Sequence, residues 1–280
     1  KLIDCGKFDW NMNISQIEKN ISKKTKAIIA THIYNFPLRI DLLKKICKKK
    51  KIFLIEDSAE ALGQTIFKKK CGSFGDISIF SFNATKIAVS GQGGVFATND
   101  EETFNRAKRL HHHGMAKYTN ETTFWSLEIG YNYQWTNIQA ALALAQIRRL
   151  DELVNQRRNI FNWYKNRLDE IEGIQINSEE NHVKNTYWVV SAIVDSSYGL
   201  KKEDFIKKFK YHNIDTRPFF YPISSMPPYK KYVKNKNISD INPVSYKLSS
   251  YGISFPSAAI ITEQQVDFIC EIFNKILSNH

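Results

Sequence analysis

Short apolar runs alternate with helical apolar spacings over the first half of the chain. The runs cover residues 27–30, 52–55, 77–82 and 94–97, and each is short enough for a buried strand. Between them, apolar residues recur three or four positions apart: Ile14, Ile17 and Ile21, then Leu42, Leu43 and Ile46. This alternation predicts an α/β fold, with a mostly parallel sheet covered by helices on both faces.

The second half of the chain has a different pattern. From residue 136 the apolar spacing is helical and continues towards Leu168, and the composition changes after Gly173. The later segments predict a strand, an amphipathic helix, a loop rich in proline and aromatic residues, and a closing helix, at 187–194, 202–210, 215–229 and 264–277. We therefore predict a large domain over residues 1–155 and a smaller α+β domain over residues 156–280.

The charge of the chain is strongly positive. Its 280 residues include 40 Lys and Arg against 28 Asp and Glu, a net charge of +12 at pH 7. Such a balance is typical of proteins that bind anions, but it also occurs when lysines simply cover a solvated surface. The lysines here are scattered and form no stripe with aromatic residues, so we expect neither a nucleic-acid nor a membrane partner. No apolar run could span a bilayer, which favours a soluble, cytoplasmic protein.

The cysteines and histidines do not indicate a metal site or a disulfide framework. The four cysteines form no C-x-x-C pair and are irregularly spaced, at Cys5, Cys47, Cys71 and Cys270. This usage fits a reducing compartment. The three histidines at 111–113 are consecutive, and consecutive helical residues point in different directions, so a polar helix end is the better interpretation.

The most informative residue is Lys86, because of its neighbours. It ends the segment Ser-Phe-Asn-Ala-Thr-Lys at 81–86, and a glycine-rich turn follows at 90–94. The acidic strand end at 56–60 lies upstream, with Asp57 29 residues before Lys86 (86 − 57). In parallel sheets, ligands bind beyond the carboxyl ends of the strands, where Asp57 lies. This layout is typical of the Schiff-base lysine of a pyridoxal 5'-phosphate (PLP) enzyme.

PLP chemistry requires an amine, an acid at the ring nitrogen, donors for the phosphate and a shelf for the ring. Lys86 can supply the amine and Asp57 the acid, while Ser81 can donate its hydroxyl to the phosphate. Ala59 is small enough to lie against the ring, and Glu60 is placed to address its phenolic oxygen. Each residue alone has a commoner explanation: an exposed lysine, a helix N-cap at Asp57, or a plain glycine turn. Their order and spacing together favour the PLP site.

These segments resemble the DegT-type sugar-nucleotide aminotransferases. The resemblance rests on 56–63, 72–76, 81–86 and 91–94, continues through 130–133 and 136–141, and covers the chain to its C-terminus. The loop at 216–222, with Met226 and Pro227, is particularly similar to the GDP-perosamine synthase branch.

The resemblance implies a PLP enzyme of fold type I that works as a homodimer with shared active sites. It would transfer an amino group from L-glutamate to a nucleotide-linked 4-keto-6-deoxy sugar, for surface polysaccharide such as lipopolysaccharide O-antigen. Lys86 would then carry the chemistry, with Asp57 at the ring nitrogen and Ser81 at the phosphate. Asn132 would reach the phosphate of the neighbouring subunit's cofactor, although an asparagine before a long helix is also a common turn residue.

The substrate residues are less sharply indicated. His113, Arg217 and Tyr221 are candidates for the sugar nucleotide, and Tyr221 could equally pack into an aromatic core. The chain departs from the family pattern at three positions that we expect near the substrate or the dimer contact. Gln134 replaces an arginine, Gln92 a glutamate and Ser224 a histidine.

The family's upstream phosphate-binding turn and ring-stacking aromatic have no counterpart here, so we expect an N-terminally incomplete large domain that binds PLP weakly. A PLP-dependent sugar dehydratase of the same family is an alternative, but it carries histidine in place of the lysine, against Lys86. A catalytically silent paralogue with a regulatory or structural role is another alternative, and a nucleic-acid-binding module is the weakest.

Overall fold

The computed structural model describes residues 1–34, 36–177, 179–233 and 237–278. Its helices are α1 (Ile14–Asn20), α2 (Ile40–Lys50), α3 (Glu101–Leu110), α4 (Asn137–Arg148), α5 (Leu150–Leu168), α6 (Lys202–Tyr211), α7 (Ile238–Ile241), α8 (Pro243–Tyr251) and α9 (Glu263–Ser278). Among the described residues, no helix is both long enough and apolar enough to cross a membrane.

The first sheet is built from the four apolar runs of the N-terminal half. Its strands are β1 (Ala27–Thr31), β2 (Phe53–Asp57), β5 (Ile77–Ser81) and β6 (Gly94–Thr98), in that spatial order. The pairs β1–β2 and β2–β5 are parallel, and β6 runs antiparallel at the edge. The α/β architecture with a mostly parallel sheet is therefore confirmed, and all four strands lie where the apolar runs predict them.

The two faces of this sheet have different surroundings. Helices α1 and α2 cover one face, where Ile17 and Leu43 pack against Ala30 and Leu54. The opposite face carries large apolar residues that remain exposed: Ile29 (61%), Phe53 (66%), Ile79 (37%) and Phe96 (40%). Within the described residues, the helical cover is therefore denser on the face of α1 and α2, a difference that the apolar pattern of the strands does not predict.

A second, antiparallel sheet forms the centre of the C-terminal half. Its order is β10 (Arg217–Pro218), β11 (Gly252–Phe255), β9 (Val190–Val194) and β7 (Ile174–Ile176). The buried faces of α5, α6 and α9 pack against it around Tyr164, Phe205 and Phe273. A small third sheet joins the hairpin β3 (Thr65–Ile66) and β4 (Lys69–Lys70) to β8 (Val183–Lys184), so segments from both halves of the chain pair there.

The long helical region is interrupted where the sequence gives no signal. At Arg149 the backbone leaves helical geometry (φ −105°, ψ 13°), and α4 ends and α5 begins around it. The start of α5 packs through Leu150 and Leu153 beside Phe82, whereas its later residues enter the C-terminal core. Helix α5 thus connects the two halves of the molecule.

Candidate active site

Asp57 and Ser81 lie at the same edge of the first sheet. Asp57 is the last residue of β2 and pairs with Ile79, and Ser81 is the last residue of the neighbouring parallel strand β5. Because side chains alternate along a strand, both project on the face that α1 and α2 leave uncovered. The sheet therefore presents a carboxylate and a hydroxyl side by side at its carboxyl edge.

The loop that carries Lys86 folds back onto itself after β5. The Phe82 amide donates to the Gly93 carbonyl at 3.0 Å, and the Ala84 amide donates to the Gly91 carbonyl at 3.0 Å. Gly93 has φ +107°, and a Cβ at this position would overlap the Trp135 indole. The glycine-rich turn is thus needed both for its backbone geometry and for the close approach of Trp135.

Lys86 is half-buried next to two carboxylates. Burial lowers the pKa of its amine, and the charges of Glu60 and Asp57 oppose this by raising it. The Lys86 Nζ atom lies 3.7 Å from the centre of the Trp188 ring. The structure thus brings Lys86, Asp57 and Glu60 together, as the spacing predicts.

Glu60 and Ala59 occupy the turn that follows Asp57. The Ala59 amide donates to Asp57 Oδ1 at 3.1 Å, which holds the carboxylate in a local turn rather than as a helix cap. Glu60 is 8% exposed and accepts a hydrogen bond from the Tyr34 amide at 2.8 Å. Burial raises the pKa of Glu60 to about 7, although Lys86 and the Tyr34 amide act to lower it. Glu60 can therefore hold a proton near neutral pH.

A buried network behind the sheet fixes this edge. Glu56 points to the opposite face from Asp57 and accepts hydrogen bonds from the Phe74 and Gly75 amides, each at 2.8 Å, and from the Gly72 amide. Its Oε1 atom also lies 2.9 Å from His32 Nε2. Burial alone would raise the pKa of Glu56, but the His32 ring and these amides hold it below its ordinary value. Of the two adjacent acids, Glu56 therefore stabilises the fold, whereas Asp57 faces the candidate site.

A cavity of about 1040 Å³ lies beside the Lys86 loop. Its lining includes Thr85 and Trp188 from the Lys86 side and Arg217, Phe220 and Tyr221 from the C-terminal half. A cavity of this size, lined mainly by apolar and aromatic residues with several polar groups among them, is typical of a small-molecule site.

Two of the predicted substrate residues line this cavity. Arg217 is exposed and forms an ion pair with the equally exposed Asp215 at 3.1 Å. Tyr221 is 51% exposed, so it does not pack into the core, and the ammonium of the buried Lys202 lies 3.5 Å from its ring centre. Ser224, by contrast, is buried with its hydroxyl 3.1 Å from that of Tyr246.

The other predicted residues lie in the segment 111–133, outside this cavity. His113 is exposed with φ +55°, and its amide donates to the Tyr131 carbonyl at 2.8 Å. Asn132 is exposed and pairs with His112 through an isolated β-bridge. Within the described residues, neither side chain contacts Lys86, Asp57 or Ser81. Gln134 is also exposed, and Gln92 lies 3.4 Å from the Asn83 amide group.

The structure adds contacts that sequence reasoning missed. Trp188 packs against Lys86, Tyr34 stacks on Phe219 with ring centres 3.7 Å apart, and Lys202 lies under Tyr221. These partners are far apart in the sequence and belong to no motif, so no spacing signal could have identified them. Among the described residues, no group of three or more His, Cys, Asp and Glu could hold a metal ion, and the four cysteines are free.

The donor set at the sheet edge fits PLP. Lys86 forms no ion pair in the described part of the chain, Asp57 has one carboxylate oxygen engaged by Ala59, and Ser81 accepts a hydrogen bond from the Asn83 amide at 3.3 Å. An amine, a carboxylate oxygen and a hydroxyl proton thus remain available for an aldehyde, a ring nitrogen and a phosphate.

Comparison with known proteins agrees with this chemistry. Residues 1–274 match the model of the DegT/DnrJ/EryC1/StrS aminotransferase family. The chain is 35% identical over 278 residues to a GDP-perosamine synthase of Escherichia coli O157:H7, covering 99% of this chain and 72% of the relative. It is 32% identical over 259 residues to a GDP-perosamine synthase of Vibrio cholerae, covering 92% of this chain and 68% of that relative.

The fold is shared with solved aminotransferases. The structure of Helicobacter pylori PseC, an aminotransferase involved in the biosynthesis of pseudoaminic acid, superimposes with a TM-score of 0.91 at 23% identity, over 100% of this chain and 74% of that one. The fold, the amine–carboxylate–hydroxyl arrangement at its edge and the family match lead to one conclusion. The chain belongs to the DegT/DnrJ/EryC1/StrS aminotransferase family and is a PLP-dependent aminotransferase.

Proposed function

We propose that the chain transfers an amino group from L-glutamate to a 4-keto-6-deoxy hexose carried on a nucleoside diphosphate, as a GDP-perosamine synthase does. The observation that carries the proposal is the Lys86 amine, held beside Asp57 and Glu60 at the edge where Ser81 ends β5. The names of these two GDP-perosamine synthases support the substrate class. The cytoplasm, suggested by the free cysteines, is the proposed location.

Lys86 is the proposed proton carrier of both half-reactions. Bound PLP supplies an electron sink for the negative charge that develops on the substrate carbon. Lys86 would move the proton between that carbon and the cofactor, which requires an amine that is partly neutral near the working pH. Burial lowers the pKa of Lys86 in this direction. Removal of a positioned acid–base group of this kind typically costs 10²–10⁴-fold in rate, which is the size of effect that we assign to Lys86.

The neighbouring side chains hold the cofactor in this proposal. Asp57 accepts a hydrogen bond from the protonated ring nitrogen, and Ser81 donates its hydroxyl to the phosphate. Ala59 leaves room for the ring. Glu60 donates a hydrogen bond to the phenolic oxygen, because a pKa of about 7 leaves the carboxyl partly protonated at neutral pH.

The sugar nucleotide is assigned to the cavity beside the Lys86 loop. Arg217 and Tyr221 line that cavity and are proposed to contact the substrate, with the guanidinium suited to a diphosphate. His113, which lies in the segment 111–133 outside this cavity, is also proposed to contact the sugar nucleotide.

The proposal includes a homodimer with shared sites. Apolar side chains lie all around α4, and Ile138 (75% exposed), Leu142, Leu144 and Ile147 remain exposed. The segment that precedes α4 in the chain also exposes aromatic and aliphatic residues, at Tyr118, Phe124, Trp125, Leu127, Ile129, Tyr131 and Tyr133. We call these residues together the α4 surface. A helix that is apolar on every side is normally buried, which supports a second copy of the chain as the cover.

Asn132 lies within this surface and is proposed to reach the partner's cofactor phosphate. Mixing Lys86→Ala and Asn132→Ala variants, each inactive alone, tests this directly. Subunit exchange should restore roughly a quarter of wild-type activity, because half of the dimers are then hybrid and each hybrid holds one complete site. Mixed variants that stay inactive after proven exchange would exclude a shared site.

The substrate is tested with a panel of nucleotide-linked 4-keto sugars. The chain is incubated with PLP, L-glutamate and either GDP- or dTDP-linked 4-keto-6-deoxy hexose, and the products are identified by mass spectrometry. We expect an amino sugar and 2-oxoglutarate in equal amounts, and a borohydride-stable attachment of PLP to Lys86. A product that has lost a hydroxyl group instead, with the keto group retained, would identify a dehydratase and contradict the proposal.

A further inference from the structure

Trp188 contacts two consecutive residues of the Lys86 loop from the other half of the chain. Its indole Nε1 donates a hydrogen bond to the Thr85 carbonyl at 2.6 Å. Its ring lies under the Lys86 ammonium, with Nζ 3.7 Å from the ring centre. The same side chain therefore holds both the backbone next to the lysine and the amine at its end.

The backbone before Trp188 has an unusual conformation that fixes this approach. Tyr187 has φ +48°, in the left-handed region that costs a bulky residue on the order of 1–3 kcal/mol. The ring of Tyr187 is buried and stacks on Phe161 with centres 3.6 Å apart, and its amide donates to Asn185 Oδ1 at 3.0 Å. These contacts hold the backbone of Tyr187 in this conformation, and β9 begins shortly afterwards at Val190. Strain maintained in this way is typical of residues that must point in one direction.

The indole ring attracts the ammonium without pairing it to a charge. A cation over an indole face is stabilised by roughly 0.5–2 kcal/mol, depending on how far water is excluded. The carboxylates of Glu60 and Asp57 act on Lys86 from the sheet edge, yet Lys86 forms no ion pair among the residues described. In the described part of the chain, the Lys86 ammonium is therefore held by the Trp188 ring and not by a salt bridge.

A free lysine amine needs such a support. The side chain is a flexible four-carbon stem, and a proton-transfer group that moves by about 1 Å can lose on the order of 10²-fold in rate. We propose that Trp188 is a positioning residue, which holds the amine of Lys86 in place whenever that amine is not bonded to the cofactor or the substrate. This inference rests on the proposed role of Lys86 as the proton carrier.

The position of the amine is tested first in the protein without cofactor. The full chain is reductively methylated with ¹³C-formaldehyde, and the Lys86 signal is assigned by its loss in Lys86→Arg. We expect an upfield ring-current shift of this signal in the wild type, a smaller shift in Trp188→Phe and none in Trp188→Leu. A Lys86 signal that is unshifted in the wild type, or unchanged in Trp188→Leu, would overturn the proposal. This measurement needs no sugar substrate, so it stands even if the proposed function fails.

The kinetic consequence is tested in the loaded enzyme. Trp188→Leu should lower kcat by roughly 10–100-fold with KM changed by less than about 3-fold, and Trp188→Phe should recover most of kcat because it keeps a ring under the amine. Tyr211→Leu, which removes an exposed ring elsewhere, serves as the matched control. A change in KM alone would make Trp188 a substrate contact and refute the positioning role. If Trp188→Leu does not fold, the ring-current shift and the kcat of Trp188→Phe decide the question. Wild-type values of both quantities in Trp188→Phe would also refute the proposal.

Discussion

The sheet edge around Lys86 and the α4 surface are opposite kinds of structure. At the edge, contacts within the chain fix the side chains: Asp57 accepts a hydrogen bond from the Ala59 amide, Glu60 accepts one from the Tyr34 amide, and Trp188 donates one to the Lys86 loop. The α4 surface instead exposes large apolar side chains, with Ile129 90% exposed. The edge is organised by the chain itself, whereas the α4 surface stays exposed in the described part of the chain, where a second copy is the proposed cover. The difference indicates that catalytic placement and assembly can be perturbed separately.

The sharpest test of the edge is Lys86→Ala. Removing the amine should lower turnover by on the order of 10³-fold or more, because no other lysine contacts Asp57 or Glu60 in the described part of the chain. Single-turnover measurement of 2-oxoglutarate formation from glutamate isolates this step from product release. Lys86→Arg is the control that keeps the positive charge but cannot act as the amine, and it should be equally inactive. Turnover within tenfold of wild type in either variant would remove Lys86 from the mechanism.

The second test separates two adjacent acids of the edge. Glu56→Ala leaves three wholly or partly buried amides and the buried His32 without their acceptor, which should cost about 3–5 kcal/mol in the free energy of unfolding. Asp57→Asn, one residue away on the other face, should barely change stability but should lower activity. Urea unfolding and turnover measured on both variants check the contrast. Equal losses of stability would show that the two faces of β2 are not independent.

The third test concerns the α4 surface. Ile138→Glu combined with Leu142→Glu places two charges one helical turn apart on an exposed apolar face, and should weaken self-association by at least about 100-fold. Size-exclusion chromatography with light scattering measures the mass of the species. Phe8→Glu, at another exposed apolar residue, is the matched control and should leave the mass unchanged. A wild-type chain that is monomeric at all concentrations would refute the homodimer proposal.

The sequence predicts the edge better than it predicts the surroundings. The four strands, the adjacency of Asp57, Glu60 and Lys86, and the family all follow from local patterns, because apolar runs and motif spacings are short-range signals. The interruption at Arg149 has no such signal, since neither glycine nor proline marks it. The domain boundary near residue 155 remains a prediction.

Long-range contacts explain most of what was not predicted. Trp188 meets Lys86 only because the fold brings the segment before β9 to the Lys86 loop, and Ser224 meets Tyr246 of α8 in the same way. Similarly, the exposed face of the first sheet follows from which helices pack against it, not from the strands themselves. A single sequence gives the chemistry of each residue but not the partner that the fold brings to it.

The smallest effect expected is the pH dependence contributed by Glu60. Burial raises its pKa from an ordinary value of 4.5 to about 7, so the folded protein binds a proton that the unfolded chain has released between these values. Glu60 therefore makes the protein less stable as the pH rises from about 4.5 to 7, by on the order of 1–3 kcal/mol. Glu60→Gln mimics the protonated form and can still accept from the Tyr34 amide. Unfolding measured at pH 5 and pH 8 should show a smaller loss of stability in Glu60→Gln than in the wild type. Parallel curves would mean that Glu60 is not a proton-holding group, and the edge would then contain two charged carboxylates beside Lys86.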